Sequence, residues 1–365
     1  MASALRLFSF RDIQVRVHWT FLLLIGWIVF SVLSGGQGFR EVLVGIVLVL
    51  VVFTCVVLHE FGHALTARHF GVNTRNITLY PIGGVASLER MPEEPKQEFL
   101  ITLAGPLVNL AIVLLAGTVH LLLAGLRFVE DPFEGGPMLL TLSSFLIVVN
   151  AMLFLFNLIP AFPMDGGRIL RSLLAMAMPR TRATRIAANI GRLFALGFMA
   201  YGLFNGQPFL VLIGVFVLLA ASGEARLVST QAALHGIPAS RVMRTLFWRM
   251  DAGATVQQAV DELLAGGDKD LIVQDRGAYL GVLHESDLMK ALQEGRAQAR
   301  LSDLRPKAAP PVNPDADIGQ VYLQLMQGKW NILPVLDGER LAGIVELENL
   351  SEFIQVREAT GGAGS

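Results

Sequence analysis

Val57-Leu58-His59-Glu60-Phe61-Gly62-His63-Ala64 lies inside an apolar run of about residues 42–70, and the reading of this stretch decides both fold and chemistry. On a helix, residues four apart share a face, so His59 and His63 point together. Each can then give one imidazole nitrogen to a zinc ion. Glu60, next to His59, can reach a water at the metal and act as general base. The five-residue pattern alone is only moderately specific, because it arises by chance in many helices. Its setting sharpens it. Three ionisable residues occupy an otherwise apolar span, where a charged type costs roughly 2.5–3.5 kcal/mol at mid-bilayer and less near an interface.

Outward from this run the chain stays apolar. Of 365 residues, 53% are hydrophobic and 16% charged, against about 25% charged in soluble domains. Residues 1–225 carry 15 Lys+Arg and 12 Asp+Glu, while the remaining 140 carry 14 and 18, so the first part suits lipid and the second suits water. A bilayer core needs about 20 apolar residues per helix. Six spans are expected, at about 17–33, 42–70, 100–125, 139–158, 187–204 and 208–224. The first lacks a small-residue cleavage site and is read as a span, not a signal peptide. Arg6, Arg11 and Arg16 precede it; Arg68, Arg75, Arg90 and Lys96 lie at or after the end of the second; Arg168, Arg171, Arg180, Arg182, Arg185 and Arg192 cluster between the fourth and fifth. The alternate loops, Gly35–Glu41 and Arg127–Gly136, are poor in basic residues. This alternation predicts both termini on the cytoplasmic side. A net charge of −1 gives no polyanion-binding signal, so nucleic acid is not an expected partner. The single cysteine, Cys55, excludes an internal disulfide framework and a Cys-rich zinc module.

Two histidines leave a catalytic zinc one protein ligand short. A third must lie at similar membrane depth, and Asp165 is the intramembrane carboxylate near that level. It follows Asn157-Leu158-Ile159-Pro160-Ala161-Phe162-Pro163-Met164 at the cytoplasmic end of the fourth span. Pro160 and Pro163 break the helix, and Gly166 and Gly167 are expected to permit unusual backbone angles. Unwound backbone at membrane depth is tolerated where it lines a protein-enclosed or wet cavity, the setting a carboxylate ligand requires.

The paired motifs, HEFGH on one span and Asn157-x-x-Pro160-x-x-Pro163-x-Asp165-Gly166 on a later one, resemble the site-2 protease family, the M50-type intramembrane zinc metalloproteases. The likeness extends to Ala104-Gly105-Pro106-Leu107-Val108-Asn109 and to Pro81-Ile82-Gly83-Gly84, and covers most of residues 10–225. It implies hydrolysis of a peptide bond within or beside a substrate's transmembrane helix. His59, His63 and Asp165 would hold one Zn2+ per chain, Glu60 would activate water, and Asn157 would orient substrate or stabilise the oxyanion. Asn109 and Asn150 are read as helix-packing residues. Cys55, one turn before His59, is read as a small buried hydrophobe.

An extended substrate is needed, because a helical one has its carbonyls bonded and covered. Ile77–Leu88 reads as a short re-entrant hairpin with β-formers flanking a Gly83-Gly84 turn. Its edge, with Gly83 and Gly84 as candidate substrate contacts, can pair with an unwound substrate by strand addition; a purely structural re-entrant loop is the competing reading.

After Glu224 the pattern changes to short strands and amphipathic helices, with an internal repeat of about 60 residues. Leu271–Asp275 and Tyr279–Leu288 correspond to Ile332–Asp337 and Arg340–Leu350, each pair preceded by a helix, Val256–Leu264 and Ile318–Met326. This resembles a tandem pair of CBS domains, an α/β module. Such pairs commonly bind adenine nucleotides, with Thr or Ser three residues after a Gly and Asp three further on. Here those positions hold His284 and Asp287, then Glu346 and Asn349. Asp287 is the candidate ribose contact, and the hydroxyl is missing from both copies. A homodimerisation or substrate-docking module is the alternative.

The expected fold is a polytopic α-helical membrane domain of about six transmembrane helices with a re-entrant hairpin, followed by the CBS module. The expected domains are a membrane-embedded metalloprotease over 1–225, a linker over 226–237, CBS domains over 238–298 and 299–357, and a disordered tail over 358–365. The expected partners are the lipid bilayer, a transmembrane protein substrate and an adenine nucleotide. The expected location is the plasma or inner membrane of a prokaryote. A CBS-gated transporter or channel is the second reading, since intramembrane charges and broken helices also mark transport paths.

Overall fold

The computed structural model describes residues 4–36, 38–81, 83–88, 92, 94–125, 138–326 and 330–359, and the chain divides into two compact units, Met1–Ala225 and Arg226–Ser365. Arg90, all of the acidic loop expected over 127–136 and most of the expected tail lie outside the described residues.

The first unit opens with a four-stranded sheet, β1 (Ala4–Phe10), β2 (Ile13–His18), β3 (Thr74–Tyr80) and β4 (Gly83–Leu88), in that spatial order. β1 and β2 form a hairpin turned by Arg11 and Asp12, both with positive φ, the geometry that matches strand twist. β2 pairs in parallel with β3, and β3 antiparallel with β4. The helices of this unit are α1 (Phe21–Ser34), α2 (Phe39–His69), α3 (Pro95–Ala124), α4 (Met138–Leu158), α5 (Asp165–Ala175), α6 (Arg180–Phe204) and α7 (Pro208–Leu234).

Five of these helices, α2, α3, α4, α6 and α7, are long and apolar enough to cross a membrane, one fewer than expected. The first expected span loses its beginning to β2. Ile13 and Val15 are buried while Gln14 and Arg16 are not, a period of two that belongs to a strand. What remains, α1, has 14 residues, about 21 Å at 1.5 Å per residue and short of the roughly 30 Å hydrocarbon core. His18, within the bounds expected for that span, ends β2 and stacks on Tyr80 with ring centroids 5.0 Å apart.

The hairpin over β3 and β4 is present, with a corrected register. Gly83 pairs with Tyr80 and Gly84 with Leu79, so both glycines open β4 and do not form the turn. Ile13, Val15, Ile77 and Leu79 from the sheet share one buried cluster with Phe53, Val57, Phe61 and Ala64 of α2. Apolar burial thus clamps the sheet onto the turns of α2 that carry His59 and His63.

In the second unit, β5 (Arg249–Asp251), β6 (Asp270–Asp275), β7 (Ala278–His284), β8 (Ile332–Asp337) and β9 (Arg340–Glu346) form a sheet of order β5-β6-β7-β9-β8. The helices are α8 (Val256–Leu264), α9 (Glu285–Gln293), α10 (Ile318–Met326) and α11 (Leu347–Ala359). The expected repeat is therefore real: helix, strand, strand, helix occurs twice, and the copies meet where Ala278 of β7 pairs with Arg340 of β9. One buried cluster is built on the first copy, and the other, built mainly on the second copy, also takes in Ile272 and Val282 of the first.

Two boundaries differ from expectation. The linker of 226–237 is helical as far as Leu234, because α7 runs on through it. Leu234 is fully buried with Ile318, Val321 and Leu325, and that burial, worth about 1.5–3 kcal/mol, holds the end of the helix. At the other end α11 reaches Ala359, which takes the first two residues of the expected tail.

Candidate metal centre

α2 carries His59 and His63 one turn apart on its buried face, and both are less than 9% exposed. The third group arrives from α5, whose first residue is Asp165. Helix α4 stops at Leu158, Pro160 and Pro163 interrupt the ladder, and the chain turns back through Met164. Gly166 and Gly167 serve this turn by size, not by unusual φ, which corrects the expectation. Both are helical, and a Cβ at Gly166 would strike the carbonyls of Leu158 and Ile159, while one at Gly167 would meet Ala161 and Phe162 backbone at 2.7 Å.

The three side chains meet. Asp165 Oδ2 lies 3.2 Å from His59 Nε2 and 3.2 Å from His63 Nε2, and the two Nε2 atoms are 3.1 Å apart. Among the described residues this is the one group of three or more such side chains able to hold a metal. Tetrahedral zinc with bonds of about 2.0–2.2 Å sets its ligand atoms roughly 3.3 Å apart, close to the separations here.

Hydrogen positions follow from the partners on the far side of each ring. His63 Nδ1 is 2.8 Å from the carbonyl of Ile101, which only accepts, so Nδ1 carries the proton. His59 Nδ1 is 2.6 Å from Asn109 Oδ1. The Asn109 amide is oriented in turn: its Nδ2 donates to Asn150 Oδ1 at 2.9 Å, and Asn150 Nδ2 donates to the Leu146 carbonyl at 2.9 Å and toward Cys55 Sγ at 3.3 Å. The chain ends on an acceptor-only carbonyl, so every amide points one way and His59 Nδ1 must donate. Both Nε2 lone pairs therefore face Asp165 Oδ2, itself buried without a hydrogen-bond donor. Three acceptors converge with no hydrogen among them, and a cation satisfies all three.

Asn109 and Asn150, expected to serve packing, are thus the support for His59. A signal was present in the sequence: Ile101, Gly105 and Asn109 stand at i, i+4 and i+8 on α3, one face. A Cβ at Gly105 would collide with the His63 ring and come within 2.8 Å of His59 Cε1, so glycine there lets α3 approach the imidazoles. Cys55 is buried and accepts from Asn150, in keeping with its reading as a small buried residue.

Glu60 lies on the next position of α2, under β4. A Cβ at Gly84 would be 2.9 Å from Glu60 Cγ and 3.3 Å from Oε1, which places the hairpin directly over this carboxylate. Gly83, the preceding residue, has φ 140°. Asn157, on the last turn of α4, donates Nδ2 to Leu153 O at 2.9 Å.

The second unit's candidate is built differently. Asp287 caps α9 by accepting from the His284 backbone N–H at 3.2 Å, and its other oxygen lies 3.6 Å from Lys307 Nζ. At the matching place in the second copy, Glu346 pairs with Arg244 at 3.0 Å, and Arg244 also holds Asp268 at 3.1 Å. Burial pushes the Glu346 carboxyl above its ordinary range; Arg244 opposes this, and Asp268, Asp270 and Glu348 add to it. The second copy is acidic where the first offers a lysine.

Two imidazoles and a carboxylate buried among long apolar helices, with a glutamate beside them, define a class: membrane-embedded zinc metallopeptidases. The model of peptidase family M50 matches residues 47–138 and 136–198. A zinc metalloprotease of Methanocaldococcus jannaschii is 32% identical over 98% of this chain and 98% of its own length. A site-2 protease structure from the same organism is 38% identical, covering 61% of this chain and 95% of that chain, with a TM-score of 0.45. A CBS domain pair solved with 5′-methylthioadenosine and S-adenosyl-L-methionine is 16% identical, covering 33% of this chain and 98% of that one, with a TM-score of 0.30. The chain belongs to peptidase family M50. It is a multi-pass membrane protein and a zinc metalloprotease.

Proposed function

We propose that this protease hydrolyses peptide bonds in or beside the transmembrane segments of membrane-protein substrates, near the cytoplasmic face of a plasma or inner membrane, with both termini on that face. His59, His63 and Asp165 hold the zinc, Glu60 is the general base, and Asn157 orients the substrate or steadies the oxyanion. The observation that carries this reading is the convergence of three acceptor atoms 3.1–3.2 Å apart with no donor between them. When bound, zinc would supply Lewis acidity, which brings the pKa of an attacking water down to about 7. The Glu60 carboxylate takes a proton from the attacking water and delivers it to the leaving amide nitrogen. The apolar helices around the site keep bulk water away from these charges. Single-span proteins incubated with the protease in lipid vesicles, with new termini mapped by mass spectrometry, test this. Cuts within or next to the span support it, and cuts confined to soluble loops reject it.

Asn109 acts through His59. Asn109→Leu removes the acceptor that fixes the Nδ1–H tautomer and is expected to weaken zinc binding about 10–100-fold, measured by competition with a chelator. Asn109→Asp keeps the acceptor and should retain most of the affinity.

Substrate reaches Glu60 as a strand. Among the described residues β4 ends the order β1-β2-β3-β4 with no strand on its outer edge, Gly84 lets β4 lie close to Glu60, and Gly83 and Gly84 are the proposed substrate contacts. Val85, in mid-strand and exposed, offers the test. Val85→Pro should lower cleavage about tenfold or more through a lost ladder bond and the ring's bulk, with zinc content unchanged. Undiminished cleavage would reject strand pairing.

The second unit is read as a CBS pair that regulates cleavage and takes an adenine nucleotide in the first copy's half, with Asp287 on the ribose. Lys307 beside Asp287 is compatible with phosphate, whereas Glu346 repels it. Calorimetry of the full chain should show heat with ATP, ADP or AMP that Asp287→Ala reduces at least about tenfold, the worth of one charge-assisted bond. No heat at millimolar nucleotide would favour a homodimerisation module, to be read by light scattering.

A further inference from the structure

β1 is exposed along its whole length, yet four of its seven residues are large and apolar. Leu5, Leu7, Phe8 and Phe10 are between 48% and 71% exposed. The register with β2 sorts these side chains by face, because residues directly opposite each other point the same way. Leu5, Phe8 and Phe10 stand opposite Val17, Val15 and Ile13. Ile13 and Val15 belong to the cluster on α2, with Val17 packed against it. Phe10 meets Phe61 of that cluster edge-on, ring centroids 5.7 Å apart. Leu5 and Phe8 therefore extend the helix-facing apolar surface past the point where α2 covers it. The register shift between Arg6 and Phe8 leaves Leu7 outside the pairing. The opposite face is polar, with Arg6 across from Arg16 and Ser9 across from Gln14.

The charge of this hairpin is one-sided. Residues 4–18 hold three arginines, Arg6, Arg11 and Arg16, and one carboxylate, Asp12. Asp12 lies 3.7 Å from Arg68 at the end of α2, and Arg68 also donates to the Arg11 carbonyl at 2.7 Å, tying the turn to the helix. Arg6 donates to Ser9 and Arg16 to Gln14, both neutral. Among the described residues none of the three hairpin arginines has a carboxylate partner.

Two demands meet at β1. It is the end strand of its sheet, and among the described residues no strand pairs with its outer edge. Open backbone edges are not tolerated in hydrocarbon, whereas the exposed leucines and phenylalanines are disfavoured in water. The headgroup layer satisfies both, since phosphate and water bond the edge while the side chains reach the acyl boundary. The chain beyond the hairpin agrees. Trp19, a residue type that settles at this level, leads directly into α1, where Leu22, Leu23, Trp27 and Phe30 are exposed.

We propose that the β1–β2 hairpin binds a phospholipid surface bearing anionic headgroups, with Leu5, Leu7 and Phe8 in the acyl boundary and Arg6, Arg11 and Arg16 on phosphate. Guanidinium groups take phosphate oxygens in pairs. A zwitterionic headgroup brings its own cation beside that phosphate, so three arginines without carboxylate partners select phosphatidylglycerol over phosphatidylcholine.

The test uses the full-length Leu7→Cys protein with a small fluorophore on the introduced thiol; Cys55 is buried and stays unlabelled. Vesicles of phosphatidylcholine receive brominated phosphatidylglycerol or, separately, brominated phosphatidylcholine. Bromine quenches only lipid-close fluorophores, so the two quenching curves give the local preference. Brominated phosphatidylglycerol is expected to be favoured at least about tenfold at low salt, and Arg6→Gln and Arg16→Gln should each lower the preference about fivefold, the worth of one arginine near an anionic surface. High salt should remove most of it. Equal quenching by the two lipids, a preference that both arginine substitutions leave unchanged, or no quenching by either lipid overturns the proposal. A disulfide between two Leu7→Cys chains, with both lipids excluded, would also overturn it and assign the edge to a second copy. Leu5→Cys, labelled in the same way, replaces Leu7→Cys should that variant fail to fold.

Discussion

Glu60→Gln is expected to leave about one zinc ion bound per chain while lowering cleavage about 10²–10⁴-fold, the range that a positioned general base supplies. Glutamine keeps the size of the side chain beneath Gly84, where a Cβ on that glycine would be 2.9 Å from Glu60 Cγ, so the sheet should stay seated on α2. It cannot take a proton. The three convergent atoms belong to other residues, so metal binding is unaffected. Metal analysis of the purified variant and a gel-based assay on a single-span protein read the two halves of this expectation. Cleavage that survives the substitution would remove Glu60 from the reaction, and loss of zinc would mean that Glu60 is part of the coordination.

The second large effect is expected at Asp165. In Asp165→Asn the introduced amide can donate a hydrogen bond to one Nε2, so the metal-free protein should be at least as stable as the metal-free parent, in which three acceptors face each other. The response to zinc should reverse that order. A ligand that binds only the folded state at 100 times its Kd stabilises by about 2.7 kcal/mol. The parent should show this as a rise in melting temperature with added zinc, and Asp165→Asn should show little or none, with cleavage lost. An equal zinc-dependent rise in both proteins would place the third ligand elsewhere.

The chemistry was legible where it was written locally. His59 and His63 stand four apart in an apolar run, and helix periodicity alone puts them on one face. Asp165 could be matched to them by depth, because prolines stop α4 at the level the histidines occupy. The repeat after Glu224 was legible in the same way, down to the limits of α8 and α10. The start of the first span was misread because a short alternation, Ile13 to His18, abuts an apolar helix, and a hydropathy window merges the two. Gly83-Gly84 was taken for a turn because glycine pairs commonly are, whereas here the missing side chain of Gly84 makes room for Glu60.

Asn109 and Arg171 show the other limit. The spacing of Ile101, Gly105 and Asn109 marks a face of α3 but does not name its partner; His59 lies 50 residues away, and the contact exists because Gly105 lets α3 close on α2. Arg171 reads as an ordinary basic residue at a membrane border, yet Glu98 and Glu224, 73 and 53 residues distant, enclose it.

Periodicity and composition, being properties of neighbouring residues, were enough to establish a membrane bundle, a histidine pair on one helix face and a duplicated α/β module. Which acceptor each imidazole faces, where its proton sits, and what holds the third ligand in place were decided only by packing. Those answers depend on distances between helices far apart along the chain, where a single missing Cβ determines whether two side chains can meet.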